Sequence, residues 1–396
     1  MKSTVLYSQH KILEASFGDF GGYTMPLWYK SAKEEHLNVL TNVGLFDTSH
    51  MALFSVKGDD AFDLLQEAFT RDLHSIPFGK CVYGLFLNDS GFVVDDALIY
   101  VVELNNYMVV VNAGMSDKVI NHLRGLNYSN YLVVDYSDKL GKIDVQGPLS
   151  IKLVEKIWGN ELFDVFPYFS FKGSFLGGDI TFKGEPILIS RSGYTGEFGF
   201  ELFVKKEIAE ELWTTLMDEG AEFGAQPCGL AARDSLRVGA GLPLSHQDIG
   251  GWIFSNTPWQ FAITTNKELF VGKNALVNGT SYTYPYVGFD LRKLHSGVTG
   301  DVFFDNKKIG SVLSCVTEVS LKREEGKILS LNSPELPEGS KVKGLVAGFI
   351  KCDIPVALGS LIILKDGKRE LKVEVVDNIR GNRTARKSIK HIRSLK

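Results

Sequence analysis

The stretch from Val82 to Val102 reads VYGLFL-NDSG-FVVDDALIYVV and decides the fold class. Two runs rich in β-branched and aromatic residues flank the turn-forming residues Asn88-Asp89-Ser90-Gly91, so the stretch predicts an antiparallel hairpin. The pair Asp95-Asp96 interrupts the second, apolar strand. Because successive strand residues face opposite sides of a sheet, we expect one carboxylate to face a cavity and the other the opposite side. The alternative is one exposed acid and one structural acid that holds a turn.

The chain on either side of this hairpin alternates between short strands and helices. Strand-like runs are expected at 53–57, 107–112 and 131–134, and helical runs at 59–70 and 115–126. The resulting order, β-α-β-β-β-α-β, predicts an antiparallel sheet with helices on one face. A second passage follows, with helices expected at 150–158 and 207–223 and strands near 143–146, 169–176, 187–191 and 198–204.

From about residue 285 onward the pattern is almost wholly β, which predicts a small C-terminal barrel or sandwich. Residues 277–284 are polar and rich in turn formers, so the expected domains are residues 1–278 and 285–396. Residues 320–342 are polar and rich in Glu, Lys, Ser and Pro, and we expect a long surface loop there.

The length and charge of the chain exclude several classes of protein. With 396 residues, 44% of them hydrophobic, the chain is expected to form two or three globular domains. A net charge of −4 gives no general attraction to nucleic acid or to an anionic membrane, and no apolar run is long enough to span a bilayer. Only residues 380–396 are strongly basic, and the part beyond Arg386 is most simply interpreted as a solvated terminus.

The cysteines and histidines are too scattered to form a recognisable binding pattern. Cys81, Cys228, Cys315 and Cys352 include no CxxC pair, and the eight histidines include no HxxxH or HExxH pattern. We therefore expect neither a disulfide framework nor a transition-metal site, and the cysteine usage favours reduced thiols in a cytoplasmic protein.

Residues 191–201, RSGYTGEFGFE, are dense in glycine but match neither a phosphate loop nor a dinucleotide fingerprint. The tyrosine and glutamate side chains of this segment offer a flat ring and an acceptor-only group, which would suit a planar heterocycle rich in donors. The alternative is an ordinary β-turn with a surface glutamate.

Residues 228–237, CGLAARDSLR, are expected to form a short helix that places Arg233 and Arg237 on one face. The arginines could meet an anionic or carbonyl-bearing ligand, or could form a structural ion pair with Asp234. Cys228 is interpreted as a small core residue.

Residues 44–51, GLFDTSHM, bring Asp, Ser and His together in sequence. The pattern is weak support for a hydrolase triad, since no GxSxG elbow is present and triad members are rarely adjacent. Local turn and capping bonds from Asp47 and Ser49 are the favoured interpretation.

Taken together, these stretches resemble the aminomethyltransferase family, the T-protein of the glycine cleavage system. The resemblance covers residues 5–280 strongly and the C-terminal part weakly, with the family's motifs in order. They are LY (6–7), His10, FGG (20–22), MPL (25–27), GLFDTSHM (44–51), NDSGFVVDD (88–96), VQGP (145–148), SRSGYTGEFGFE (190–201), PCGLAARDSLR (227–237) and FVGKNAL (270–276).

The resemblance implies an α+β, three-lobed fold with tetrahydrofolate bound in a central channel. Two interleaved lobes of antiparallel sheets with flanking helices would come from residues 1–278, and a C-terminal β barrel or jelly roll would form the third. The family's essential aspartate falls on Asp96. Its other folate-site positions fall on Met51, Tyr83 and Tyr100 near the folate, Tyr194 and Glu201 at the pteridine end, Arg237 in the pocket and, with a looser match, Arg380.

The family's chemistry suits these residue types. The pterin edge presents an amino group and a ring N–H, which Glu201 could accept in two bonds. Asp96 could position the folate nitrogens and take a proton as they attack a one-carbon unit. The resemblance implies that this unit is an aminomethyl group on the lipoyl arm of the H-protein partner, that ammonia leaves and that 5,10-methylenetetrahydrofolate forms. The basic tail from Arg380 could meet the glutamate of the folate or an acidic carrier protein.

Several segments depart from the family pattern and leave the donor open. Val238-Gly239-Ala240-Gly241 stands where the family usually has Leu-Glu-Ala-Gly, and Leu244-Ser245-His246 where it has Leu-Tyr-Gly. Residues 250–261 and the 320–342 segment also differ, which would fit a divergent paralogue. The main alternative is a folate-dependent demethylase of a small sulfonium, amine or ether, with His246, Trp252 and Trp259 as candidate contacts or, for the tryptophans, core residues.

A second alternative is a non-catalytic folate-binding accessory protein for iron–sulfur assembly, which shares the fold. Its KGCxxGQE-type motif is missing, since Phe270-Val271-Gly272-Lys273 occupies the equivalent place. The retained Asp96 also favours an enzyme.

Overall fold

The predicted hairpin is present as two neighbouring antiparallel strands, Lys80–Leu87 and Val93–Glu103. It is seen in a computed structural model, which describes residues 1–254, 258–295, 300–337 and 339–394. Gly91 closes the turn with a φ of 78°, a conformation that glycine adopts without steric cost.

The strands of the described residues are numbered in chain order. They are β1 (Lys2–Ser3), β2 (Ser16–Phe20), β3 (Tyr23–Trp28), β4 (Val43–Asp47), β5 (Ala52–Lys57), β6 (Lys80–Leu87), β7 (Val93–Glu103), β8 (Asn106–Val111), β9 (Leu132–Asp135), β10 (Leu140–Gln146), β11 (Phe171–Gly173), β12 (Thr181–Phe182), β13 (Glu185–Pro186), β14 (Leu188–Ser190), β15 (Gly199–Lys205), β16 (Ala225–Pro227), β17 (Tyr282–Gly288), β18 (Asp301–Phe304), β19 (Lys307–Glu318), β20 (Leu321–Glu324), β21 (Lys327–Ser330), β22 (Leu345–Cys352), β23 (Leu361–Lys365) and β24 (Glu370–Val375).

The α-helices of the same residues are α1 (Tyr7–Ile12), α2 (Ala32–Thr41), α3 (Ala61–Ala68), α4 (Ser116–Arg124), α5 (Ser150–Trp158), α6 (Lys206–Gly220), α7 (Leu230–Gly239) and α8 (Ile389–Arg393). The helix predicted at 150–158 is confirmed at those bounds. The helix predicted at 207–223 ends at Gly220 and continues as a 3-10 turn.

The first sheet has the strand order β6-β7-β8-β5-β9, and all its neighbours are antiparallel, as predicted. One face packs on α3 and α4 through side chains such as Leu64, Val119 and Ile99. The opposite face meets the second sheet at Tyr100 and Phe203. Both faces are therefore buried, and a carboxylate in β7 sits in apolar surroundings.

The second sheet has the order β11-β14-β15-β10-β4-β16. Its strand β4 precedes the first sheet in the chain, whereas its other strands follow it, so the chain passes from one sheet to the other and back. Helices α5 and α6 cover it around Trp213 and Leu212, both of them buried. The C-terminal strands β17-β22-β19-β18-β23-β24 form a closed barrel, which confirms the predicted β barrel.

The surface loop predicted at 320–342 is only partly correct. Strands β20 and β21 form a hairpin inside it. Leu321 of this hairpin is buried and Ile328 is partly buried, and both join an apolar cluster with Phe349 of the barrel. These two apolar side chains thus supply the apolar surface that folds a polar segment back onto the protein. Glu338 lies outside the described residues.

Candidate active site

A cavity of about 1200 Å³ lies where the two sheets and the segment after the barrel meet. It exceeds the ~300–1,000 Å³ of most small-molecule pockets. Of the eight site residues expected from the sequence, five line it; these are Met51, Tyr83, Asp96, Tyr194 and Glu201. The structure thus brings together side chains from segments more than a hundred residues apart.

Asp96 lies on β7, half-buried in the cavity wall. Its Oδ2 accepts a 2.7 Å hydrogen bond from the hydroxyl of Tyr83 on β6, and its Oδ1 accepts one from the side-chain amide of Asn112. Burial and the neighbouring charge of Asp95 raise the pKa of Asp96 to about 6, against the opposing effect of these hydrogen bonds. The group can therefore exchange a proton near neutral pH, as a general base must.

Asp95, the other member of the pair, is fully buried and does not line the cavity. This agrees with the expectation that the two carboxylates face different sides. The amide of Asn112 nevertheless donates to both, at 2.8 Å to Asp95, so the two charges lie closer than strand alternation predicts. The same oxygen of Asp95, Oδ1, lies 3.3 Å from Nε2 of His246.

Glu201 lies on β15 and is 4% exposed. Its Oε2 accepts hydrogen bonds from Ser192 at 2.8 Å and from Tyr100 at 3.3 Å, and its Oε1 pairs with Lys142 at 3.1 Å. Tyr100 is completely buried and reaches the cavity only through Glu201. These partners fix the direction in which the carboxylate faces the cavity.

A chain of alternating charges leads from Glu201 to the opposite wall. Lys142 bridges Glu201 and Asp144, and Asp144 pairs with Arg233 at 2.8 Å. Burial alone would raise the pKa of Asp144, but the charges of Lys142 and Arg233 lower it to about 2. The guanidinium of Arg233 lies 5.1 Å from the ring centre of Tyr194 and orients that ring in the cavity.

Sequence reasoning missed Asn112, Lys142 and Asp144. One signal was available for the last two. Lys142 and Asp144 stand two residues apart in an apolar strand, which places both on one face. Asn112 lies just past the end of β8, and no local pattern marks it.

Two buried polar atoms in the cavity wall lack a hydrogen-bond partner within the part of the chain that the structure describes. They are Nδ1 of His50 and Oγ of Ser245. Burial lowers the pKa of His50 to about 4, so its ring is neutral at pH 7. Buried polar groups are normally paired, so the two atoms are exceptions beside the cavity.

Arg237 and Arg380, both expected in the site, are almost fully buried away from the cavity surface. Arg237 pairs with Asp248 and donates to Ser314 of the barrel at 2.9 Å. Arg380 pairs with Glu318 at 2.7 Å and with Glu197 at 3.2 Å. Each arginine thus ties a cavity loop to the barrel.

The interpretation of the tail beyond Arg386 as a solvated terminus is wrong for its described part. Helix α8 buries Ile389 and Ile392 against the core of the second sheet, and Arg393 pairs with Glu155. The apolar side chains at i and i+3 supply the buried face that the charge count hides. Residues 395–396 lie outside the described residues, whereas Arg386 and Lys387 line the cavity rim.

The remaining candidate residues make contacts that hold the fold together. Trp259 is buried against Phe349, and neither it nor Trp252 lines the cavity. Asp47 pairs with His10 at 2.8 Å and accepts from the backbone N–H of Ser49. Local bonding is therefore confirmed for Asp47, whereas the hydroxyl of Ser49 bonds instead to the backbone of Lys142. The core position of Cys228 is confirmed. Of the segment 250–261, residues 255–257 lie outside the described residues.

Within the described residues, no group of three or more His, Cys, Asp or Glu side chains is placed to hold a metal ion. The same residues include no helix long and apolar enough to cross a membrane.

Comparisons with known proteins point to one family. The family model described as GCVT N-terminal domain matches residues 6–260. The chain is 36% identical over 350 residues to an aminomethyltransferase of Geobacillus sp. (strain WCH70), covering 85% of this chain and 92% of that protein. It is 37% identical over 316 residues to an aminomethyltransferase of Bacillus cereus (strain AH187), covering 78% and 84%.

A solved structure points to the same family. The crystal structure of glycine cleavage system aminomethyltransferase T from Bartonella henselae superposes with a TM-score of 0.75 at 25% identity, over 95% of this chain and 96% of that one.

Proposed function

The chain belongs to the aminomethyltransferase family of enzymes, and we propose that it transfers a one-carbon unit from an aminomethyl group on the lipoyl arm of an H-protein to tetrahydrofolate. In this reaction the lipoyl sulfur regains a proton, ammonia leaves, and the carbon bridges two folate nitrogens. The observation that carries the proposal is Asp96, a carboxylate with a pKa of about 6 in the wall of a cavity large enough for folate.

The donor set of the cavity suits a folate. Glu201 would present a fixed carboxylate to a donor-rich heterocycle, and Tyr194, which lines the same cavity, would supply a flat ring face. Met51 and Tyr83 complete the wall near Asp96. The side chains of His50 and Ser245 belong to residues that line the same space. Tyr100, Arg237 and Arg380 would act through their neighbours, since they do not line the cavity.

Asp96 would hold the folate nitrogens in line with the donor carbon and take the proton that the attacking nitrogen loses. The carboxylate form does this work, and the hydrogen bonds from Tyr83 and Asn112 hold it in one orientation. Placing both reactants in a cavity walled by apolar side chains supplies the remaining rate through proximity.

A folate-dependent demethylase has less support. Its candidate aromatic contacts, Trp252 and Trp259, do not line the cavity, and Trp259 packs in the core. A cationic methyl donor would therefore lack the tryptophan faces on which that proposal depended.

A donor panel tests the proposal. Purified protein and tetrahydrofolate are mixed with aminomethyl-loaded H-protein, a methyl sulfonium or a methylated amine, and the folate products and ammonia are measured. We expect 5,10-methylenetetrahydrofolate from the H-protein donor only. Transfer from a methyl donor, or none from the H-protein while folate binds, would contradict the proposal.

Two variants separate binding from chemistry in this assay. Asp96→Asn should retain folate binding and lose about 100-fold or more in turnover, the usual scale for removing a general base. Glu201→Gln should weaken folate binding by about tenfold, since it removes a charge-assisted acceptor. Asp89→Asn, on the exposed hairpin turn, is the matched control and should match the wild type.

A further inference from the structure

His246 holds an unusual backbone conformation at the edge of the site. Its φ is 64°, in the left-handed region that residues with a Cβ rarely adopt. The turn around it is closed by Asp248, whose N–H donates to the carbonyl of Leu244 at 2.9 Å and whose carboxylate accepts from the N–H of Leu244. The surrounding contacts therefore hold His246 in place.

This conformation directs the imidazole at a buried carboxylate. Nε2 of His246 lies 3.3 Å from Oδ1 of Asp95, whose side chain is fully buried, while the ring itself is 40% exposed. A protonated ring would place a positive charge beside Asp95, the group whose negative charge opposes ionisation of Asp96.

The groups that face Asp96 come from several elements. Asp95 lies on its own strand, Tyr83 on β6, Tyr194 on the 191–198 segment and His246 on the 244–248 turn. Asn112 is neutral and donates to both carboxylates. Arginines 71 and 233 line the same cavity. Among these, His246 is the basic side chain that contacts Asp95.

We propose that His246 is a positioning residue for the one-carbon transfer: paired with Asp95, it offsets that charge and keeps Asp96 in its carboxylate form. The inference rests on the proposed function, because it assigns the carboxylate of Asp96 as the working form. His246 does not act on the substrate directly. It sets the pH range in which Asp96 can accept a proton.

Two variants remove the charge without blocking the turn. His246→Asn keeps a residue that tolerates the left-handed region, and His246→Gly relieves the conformation entirely. His74→Asn is the matched control, since His74 lies 3.1 Å from Asp72 in an exposed pair outside the cavity. Melting temperatures check that each variant folds.

The pKa of Asp96 is read in two ways. The first is the acidic limb of the pH profile of kcat/KM with tetrahydrofolate and aminomethyl H-protein. The second is the pH titration of aspartate side chains by carboxyl ¹³C NMR in the free protein, with Asp96→Asn to assign the signal. We expect both His246 variants to move the Asp96 transition to higher pH by roughly 0.5–1 unit, and His74→Asn to leave it unchanged.

An unchanged Asp96 transition in both folded His246 variants would overturn the inference, including when their activity is lower. If the wild type turns over no aminomethyl donor, the proposed function fails, and the NMR titration still decides the His246 effect.

Discussion

The hydroxyl of Tyr83 donates a 2.7 Å hydrogen bond to Oδ2 of Asp96, joining the two strands of the hairpin at the cavity wall. Burial and the charge of Asp95 raise the pKa of Asp96, and this hydrogen bond is the largest effect opposing them. We therefore expect Tyr83 to help set the pH range of activity.

Tyr83→Phe should therefore move the acidic limb of the pH–activity profile to higher pH by roughly one unit, because a hydrogen bond to a charged group is worth about 1.5–3 kcal/mol. In the wild type, activity should fall as pH drops through about 6. Tyr128→Phe is the control, since Tyr128 makes the same 2.7 Å bond to Glu67 outside the cavity. A profile that moves equally in both variants would exclude a specific role for Tyr83.

Asp96→Asn should stabilise the folded protein at neutral pH while removing activity. The raised pKa means that the folded state binds the Asp96 proton more tightly than the unfolded state, so stability falls as pH rises from about 4 to about 6. Above pH 6 the ionised carboxylate costs up to about 3 kcal/mol. Urea unfolding should show a gain of about 1–3 kcal/mol at pH 7.5 and little at pH 4. A variant less stable than the wild type at pH 7.5 would refute this account.

Lys142→Met should weaken the protein, most of all in acid. The lowered pKa of Asp144 contributes stability that is complete above about pH 4 and is lost as pH falls toward 2. Removing Lys142 takes away its largest charge partner and should cost about 3 kcal/mol at neutral pH. Acid unfolding should also begin at higher pH.

The matched control for this change is Lys156→Met. Lys156 is an exposed lysine that pairs with Glu219 at 2.7 Å and Glu222 at 2.6 Å. Exposed ion pairs contribute little to stability, so the unfolding curve of this variant should stay close to that of the wild type. Equal losses of stability in the two variants would show that burial of the ion pairs around Lys142 is unimportant for stability.

Arg380→Met should destabilise the protein by roughly 3–5 kcal/mol, because it leaves two buried carboxylates, Glu197 and Glu318, without their shared partner. Arg292→Met, in an exposed pair with Asp290, should leave stability close to that of the wild type. Arg380→Lys keeps the positive charge. When this variant is assayed well below its melting temperature, its KM for tetrahydrofolate should equal that of the wild type. A KM raised tenfold in that folded variant would instead indicate direct substrate contact.

The sequence predicted correctly those features whose residues are neighbours along the chain. The NDSG turn with its flanking apolar runs predicted the hairpin, and Asp95-Asp96 stood out as a charged pair in an apolar strand. The β-rich run after residue 285 predicted the barrel, since turn residues mark its strands at short intervals. Resemblance placed Tyr194 and Glu201 on segments that do line the cavity.

The partners of these residues could not be predicted in the same way, because they are set by contacts across sheets. Lys142 meets Glu201 only because β10 and β15 pair in register, and His246 meets Asp95 only because its turn folds over the end of β7. Helix α8 was hidden by its charge, although Ile389 and Ile392 carry an apolar face. Arg237 and Arg380 were assigned to the pocket, whereas both are buried in ion pairs beside it.

One measurement tests the central claim most directly, namely a single turnover of excess enzyme with aminomethyl-loaded H-protein, with and without tetrahydrofolate. The account predicts ammonia and 5,10-methylenetetrahydrofolate in equal amounts when folate is present, with the rate lost in Asp96→Asn but retained in Asp89→Asn. Full-rate transfer by Asp96→Asn, or ammonia release without methylenetetrahydrofolate, would contradict it.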